Sequence, residues 1–457
     1  MLTSRLTDCI LSIRYDKLPD EVIGKAKDCF TDFLGVALRG SETKSGQIIN
    51  SLVLEGDEST VFSTETSAGL NDNPFKTNAR DAGLANGVFA HSLDLDDGHR
   101  MAQLHPGACV IPAALAQCES HNRSGKHLIE SIVAGYQVAI VLGMLINPEH
   151  RNHGFHSTGT CGTLGAAAAA SKALDLNKNE IINALGLAGT MAAGLLESDH
   201  SGSMGKHLHA GKSAQSGVLA AQLAEKGFTG AETILEGNEG LIKAMAGINP
   251  GKVNIEDLMD KYRILEVYFK IYPVCRHLHP SIDAILEIVS EHNIGPKDAK
   301  EITVNTYQTA ADHDNYHPEN TESIRQSLPV SLSLALLNLN NKHDILKNFE
   351  YPPEDRELNR EIQELSQKIV IKKDDHLNRK YPSYRPSKVS ILTDKGLNEK
   401  QVDLPRGEPE KPLSKDDLNW KFKNLNPKLD MKVINIIQNI DSYSDVNHFT
   451  ADLNSFL

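Results

Sequence analysis

Gly162-Thr163-Leu164-Gly165-Ala166-Ala167-Ala168-Ala169-Ala170-Ser171 is the stretch whose reading decides the fold. Its side chains are too small to fill a wide gap, so a neighbouring helix must approach its backbone closely, which implies a tight helical bundle. The apolar spacing on either side agrees. Helices are expected over 125–146, 162–176, 179–196 and 210–227, with Gly, Asn and Asp at the breaks. Upstream, Val22, Ala26, Cys29, Phe30, Phe33, Leu34 and Ala37 recur at steps of three and four, an amphipathic helix closed by Gly40. Ala-rich segments at 79–91 and 106–118 read as buried helix as well.

The texture changes near residue 265. Glu266-Val267-Tyr268-Phe269-Lys270 is strand-like, Glu301 to Tyr307 alternates as a half-buried strand does, and 368–372 and 387–393 are further strand candidates. Helical stretches at 281–292 and 323–337 lie between them. Pro405-Arg406-Gly407-Glu408-Pro409-Glu410-Lys411-Pro412 reads as a linker. Beyond it the pattern is helical again over 416–422, 430–440 and 446–457. The expected architecture is therefore mainly α with a second α+β domain: a large all-helical domain from 1–265 with 405–457, and a smaller α+β domain over 266–404.

A chain of 457 residues exceeds the size at which a single core stops growing, which agrees with two domains. A formal net charge of -13 argues against nucleic acid or an anionic membrane as partner. If the substrate is itself an anion, particular Lys, Arg and His side chains must make a locally basic pocket. Six cysteines show no CxxC spacing and read as buried thiols. The first residues lack a basic and then apolar leader, and no run of 18 apolar residues is present, so the cytoplasm is the expected compartment.

Asp94-Leu95-Asp96-Asp97-Gly98-His99-Arg100, followed by Leu104-His105-Pro106-Gly107, concentrates acids, imidazoles and a guanidinium between two apolar helices. Such a turn either opens into a pocket, where desolvation tunes its titrating groups, or is a solvated Asp-rich cap. His156 precedes Ser157-Thr158-Gly159-Thr160 at a helix start whose free amides favour an anion, though Ser157 or Thr158 would also serve as a plain cap. Lys206 lies in Ser203-Met204-Gly205-Lys206-His207-Leu208-His209-Ala210-Gly211-Lys212, suited to pairing with a carboxylate. His207 with His209, and His277 with His279, have a spacing that invites a metal, but no third ligand follows and no metal is expected. Arg276 and His279 fall in Tyr272-Pro273-Val274-Cys275-Arg276-His277-Leu278-His279-Pro280, at a domain border or as a polar helix start. No GxGxxG, GxxxxGK[ST] or GxSxG motif occurs in a suitable context, which excludes the usual nucleotide sites and the nucleophile elbow.

These residues, in this order, resemble the MmgE/PrpD family. The likeness rests on Leu93-Asp94-Leu95-Asp96-Asp97, His105-Pro106-Gly107, Phe155-His156 with Gly162 to Ala168, Lys206-His207-Leu208-His209-Ala210-Gly211, and Tyr272-Pro273 with Cys275-Arg276 and His279-Pro280. The family includes 2-methylcitrate dehydratase, cis-aconitate decarboxylase and iminodisuccinate epimerase. The resemblance implies a helical domain built from both chain ends, an α+β lid domain, a homodimer, and catalysis without metal or organic cofactor on a small polycarboxylate. It implies that acid, base and binding groups fall on Asp94, His105, His156, Lys206 and His279. Gly98, Arg100, His209, Lys212 and Arg276 complete the candidate set as substrate contacts. Decarboxylase-like members carry Thr after the Asp-Asp pair where this chain has Gly98, and the gap to His-Pro is one residue longer here. The expected activity is a lyase that dehydrates a 2-methylcitrate-like acid or decarboxylates a cis-aconitate-like one. An epimerase of an aspartate-derived dicarboxylate and a catalytically inactive binding protein of the same fold are the alternatives.

Overall fold

A computed structural model describes residues 1–63, 75–338, 346, 349 and 356–457. The chain divides into two compact units, one of Met1–Glu197, Met204–Tyr268 and Lys415–Leu457, the other of Ser198–Ser203 and Phe269–Ser414. It is mainly α, with an α+β second unit.

In the first unit the Ser157–Ala173 helix is buried along its whole length. A Cβ at Gly165 would stand 2.6 Å from Ala139 Cβ and 2.8 Å from the Gly135 carbonyl oxygen. One at Gly217 would stand 2.5 Å from the backbone of Ala166. The Gly125–Ile146 and Gly205–Glu225 helices thus press onto it at positions that have no room for a side chain. Gly125–Ile146 is apolar enough to cross a membrane by length and composition, and 89% of its most apolar window is buried in this core. A second close crossing joins Ala79–His91 to Gly205–Glu225, where a Cβ at Gly87 would stand 2.7 Å from Gly211 Cα. Side-chain caps fix several helix starts. Asn78 accepts from the Asp81 amide, Ser124 from that of His127, and Asn177 with Glu180 forms a capping box.

The chain returns to this unit at its end. Lys421, in the Lys415–Leu425 helix, buries its ammonium between Asp32 Oδ1 at 2.5 Å and the Leu95 carbonyl at 2.8 Å. Phe422 packs where a side chain at Gly35 would lie. Thr450 donates to Glu119, and the Gly125 amide donates to the Tyr443 carbonyl.

The second unit holds a four-stranded sheet in the order Ile369–Lys373, Glu301–Thr306, Ser387–Thr393, Gly396–Val402. The first pair is parallel and the others are antiparallel. Ile302, Val304, Val389 and Ile391 form a core with Ile282, Ile285 and Val289 of the His279–His292 helix and Leu332 and Leu334 of Leu328–Leu337. The strand expected at 266–270 is absent as a ladder. Arg263–Glu266 is a 3-10 turn held by the Arg263–Glu266 ion pair, and Tyr268 makes only a single antiparallel bridge, to Gly98. Among the described residues no strand lies beside it to extend the pairing, and the Phe269 amide donates to the Gly407 carbonyl instead. The 323–337 helix is broken, because Pro329 begins a new helix capped by Ser327. The segment around 405–412 is no loose linker: Glu408 is fully buried against Arg276, and the Gly407 amide donates to the Lys411 carbonyl.

Candidate active site

The Ala79–His91 helix ends on a fully buried His91, and the chain turns through Asp94, whose φ of +50° puts a non-glycine residue in the left-handed region. That turn aims the Asp94 carboxylate at Lys206, with Nζ to Oδ1 3.0 Å and both residues buried. The Gly87–Gly211 crossing brings the two helices close enough for this reach. Lys206 and His209, three apart, share a face of their helix. His207 points elsewhere, its Nδ1 3.0 Å from Ser45 Oγ, and Lys212 is exposed with its ammonium 3.1 Å from Gln215 Oε1.

Asp96 and Asp97 divide between chemistry and architecture. Asp96 Oδ2 lies 2.8 Å from His91 Nδ1 and 3.5 Å from His105 Nδ1. Asp97 instead caps the Gly107–Ser120 helix, accepting from the Gly107 amide at 2.9 Å and from the Tyr136 hydroxyl at 2.6 Å. Burial pushes the Asp97 carboxyl up to about 7, with the charges of Asp32 and Asp96 adding to the rise and the two hydrogen bonds opposing it.

His105 donates its backbone amide to Thr158 Oγ1 at 3.1 Å, and its Nδ1 lies 2.6 Å from the Asp97 carbonyl. A carbonyl only accepts, so Nδ1 carries the hydrogen and Nε2 is the nitrogen that titrates. His156 is the residue before the Ser157–Ala173 helix. Its amide donates to the Gly194 carbonyl, and its Nδ1 lies 2.9 Å from Nδ1 of His209. Behind that helix start sits His150, buried and 2.9 Å from Thr160 Oγ1; burial lowers its imidazole to about 4, keeping it neutral.

The imidazoles form a row. The His91 ring lies 5.0 Å from that of His105 and is stacked 5.9 Å from that of His156, which is 5.2 Å from that of His209. Asp94, His105, His156, Lys206 and His209 therefore come together in the first unit. His91 and Asp96 belong with them, although the sequence alone did not mark them as site residues. The signal for His91 was its place three residues before Asp94, at the end of an apolar helix. Gly98 is buried beside Tyr268: a Cβ there would stand 2.4 Å from the phenol oxygen. Arg100 is half-buried in the same loop.

In the second unit His279 is fully buried. Its Nδ1 faces Arg276 Nη1 at 3.0 Å and its Nε2 the Val274 carbonyl at 3.2 Å. Guanidinium only donates, so Nδ1 accepts, Nε2–H donates and the ring is neutral. Proton exchange at His279 would require one of these contacts to be given up. Arg276 itself is held by Glu408 Oε1, at 3.2 Å from Nε and 3.0 Å from Nη2. His277 turns to the Tyr307 hydroxyl at 2.6 Å. Both His-x-His pairs thus split between different partners and make no chelate.

Among the described residues, His91, Asp96 and His105 have donor atoms close enough to hold a metal ion, all within 4.8 Å of one another. The hydrogen on His105 Nδ1 and the 2.8 Å His91–Asp96 contact use these donors for hydrogen bonding, so the arrangement fits a polar network better than a coordination sphere.

The sequence matches the model of the MmgE/PrpD N-terminal domain over residues 4–253 and that of the C-terminal domain over residues 272–439. It is similar to cis-aconitate decarboxylase of Homo sapiens, 26% identical with 98% of this chain and 94% of the human protein covered. The Mus musculus cis-aconitate decarboxylase is also 26% identical, covering 98% and 92%. That of Aspergillus terreus is 24% identical, covering 75% and 74%. Matched by both domain models along most of its length, the chain belongs to the MmgE/PrpD family.

Proposed function

We propose that this protein is a lyase acting on a small di- or tricarboxylic acid, with decarboxylation of a cis-aconitate-like acid as its reaction. The observation that carries the reading is the meeting of one buried ammonium, Lys206, with a row of imidazoles and two buried carboxylates in a single helical unit. That the relatives above are cis-aconitate decarboxylases supports the choice of decarboxylation over dehydration of a 2-methylcitrate-like acid.

In such a reaction the bond between a carboxyl group and its carbon breaks and CO2 leaves. The electron pair spreads into the neighbouring unsaturated carboxylate, and a proton then adds to carbon. A fixed cation beside the remaining carboxylate stabilises the charge that develops. Lys206, oriented by Asp94, suits that role, together with the amides at the start of the Ser157–Ala173 helix. His105, its Nδ1–H tied to the Asp97 carbonyl, presents Nε2 for proton exchange with carbon. Asp96, against both His91 and His105, is the orienting carboxylate, whereas the hydrogen bond of Asp94 goes to Lys206. Only one proton adds to carbon, so either His156 or His105 supplies it and the other imidazole holds a carboxylate of the substrate. A homodimer in the cytoplasm belongs to the same reading.

Incubation with cis-aconitate, 2-methylcitrate and iminodisuccinate in heavy water, followed by proton NMR, tests it. The expected result is loss of CO2 from cis-aconitate with deuterium at a product carbon. Water loss from methylcitrate alone, or deuterium exchange in iminodisuccinate alone, would replace decarboxylation with the corresponding activity.

A further inference from the structure

The imidazoles of His156 and His209 meet nitrogen to nitrogen, Nδ1 to Nδ1 at 2.9 Å, with ring planes inclined by 53°. A ring nitrogen donates only when it carries hydrogen and accepts only when it does not. Two Nδ1 atoms at this distance therefore hold one hydrogen between them. If it sits on His156, His209 is its acceptor; if on His209, neutral His156 must carry its hydrogen on Nε2. Whichever holds, the tautomer of one ring dictates that of the other. Both rings cannot be imidazolium at once, because two Nδ1–H groups would then point at each other.

We propose that His209 is a positioning residue that sets the tautomer and charge of His156, taking the part that a carboxylate plays beside many catalytic imidazoles. This rests on the lyase reading of the same site. With the shared hydrogen on His156 Nδ1, His209 steadies an imidazolium whose Nε2–H is the acid. After CO2 has left and its electron pair has spread into the unsaturated carboxylate, that proton passes to carbon and the delocalised pair becomes the new C–H bond. The pair is left neutral, with the hydrogen still bridging the rings, and regains one proton from water after the product leaves. A neutral partner is the better choice for such an acid, since a carboxylate on Nδ1 would strengthen His156 as a base and hold the proton back.

The local structure holds the contact. His209 follows Lys206 by three positions on a long helix, and Gly194 serves both rings. Its carbonyl accepts the His156 amide at 3.0 Å, and a Cβ on it would lie 3.4 Å from His209 Cγ. The other titratable groups around the pair are His91, stacked on His156 with Asp96 on its Nδ1, His105 beyond it, and Lys206 with Asp94 on its ammonium. Their presence makes the pair's titration a property of the cluster, so variants must be compared with one another.

The test pairs His209→Asn, whose amide reaches the position of Nδ1, with His209→Leu, which cannot hydrogen-bond. Histidine-selective 15N NMR and the pH profile of kcat are the readouts. His209→Leu is expected to lower kcat by about 10²-fold with little change in KM, to displace one limb of the profile, and to change the His156 tautomer. His209→Asn is expected to recover most of the rate. The proposal is overturned if His209→Leu keeps the wild-type rate and profile, or if the 15N titration of His156 is the same with and without the His209 ring. The NMR result stands even if no acid in the panel is turned over, so failure of the pairing and failure of the lyase reading are told apart.

Discussion

The ammonium of Lys206 lies 3.0 Å from Oδ1 of Asp94, a buried pair whose partners are 112 residues apart in the chain. Removing one member leaves the other charge buried without its partner, which costs about 3–5 kcal/mol. Lys206→Met is therefore expected to lower thermal stability strongly and abolish turnover. The double variant Lys206→Met/Asp94→Asn should recover most of the stability and none of the turnover. Denaturant melts on wild type, Lys206→Met, Asp94→Asn and the double variant check this, and additive losses in the double variant would contradict it.

Gly98 and Tyr268 exclude a side chain at the position after the Asp96-Asp97 pair. A Cβ at Gly98 would stand 2.5 Å from Tyr268 Cζ as well as 2.4 Å from its oxygen, so removing the hydroxyl alone does not make room. Gly98→Thr should destabilise by roughly 1–3 kcal/mol or more, Tyr268→Phe should fail to rescue it, and Tyr268→Ala should rescue it in part. Melting temperatures of the variants decide.

Asp97 titrates at about 7 in the fold against 3.8 for an unperturbed carboxyl. Between these values the folded chain binds more protons at this group than the unfolded chain does, so its contribution to stability falls as pH rises from about 4 to 7. It is most favourable below the lower value and fully lost above the upper. Asp97→Asn should remove this component. Measured at a series of pH values, the stability of the variant relative to wild type should rise between about pH 4 and 7, and a flat difference would contradict the assignment. His150 has the opposite sign: at about 4 in the fold, it makes stability rise with pH from about 4 to 6.5.

Gly165 sets the distance between the two central helices. Gly165→Val would drive a branched side chain into Ala139 and the Gly135 carbonyl, and should prevent folding or lower stability by several kcal/mol, as seen by circular dichroism melts. Gly24, with no atom near its missing Cβ, lies within the Asp20–Ser41 helix, and Gly24→Ala should stabilise by about 0.5–1 kcal/mol.

The helical unit was legible because its signals are local. The Ala-rich run that needs a close neighbour has one at Gly135 and Ala139, and the helix expected at 125–146 runs over those residues. The Glu301 strand alternates as its residues alternate, with Ile302 and Val304 buried. What failed depended on partners far away in the chain. Residues 266–270 have strand-forming side chains but pair through isolated contacts, Tyr268 with Gly98 and the Phe269 amide with the Gly407 carbonyl, and the edge strand Gly396–Val402 was too polar to be noticed. The Pro-rich segment after 404 looked like a linker because nothing near it announces that Glu408 is buried on Arg276. In the site, Asp94, His105, His156 and Lys206 carried motif spacing, whereas His91 was hidden as the last residue of an apolar helix and Asp96 by two neighbouring carboxylates.

Carbon-acid chemistry by the imidazole row and Lys206 is the central claim, and His105→Gln compared with wild type on cis-aconitate tests it most directly. Proton NMR in heavy water should show product formation with wild type and a loss of at least about 10²-fold in the variant, with melting temperatures close to each other. Equal turnover by the two folded proteins would contradict it.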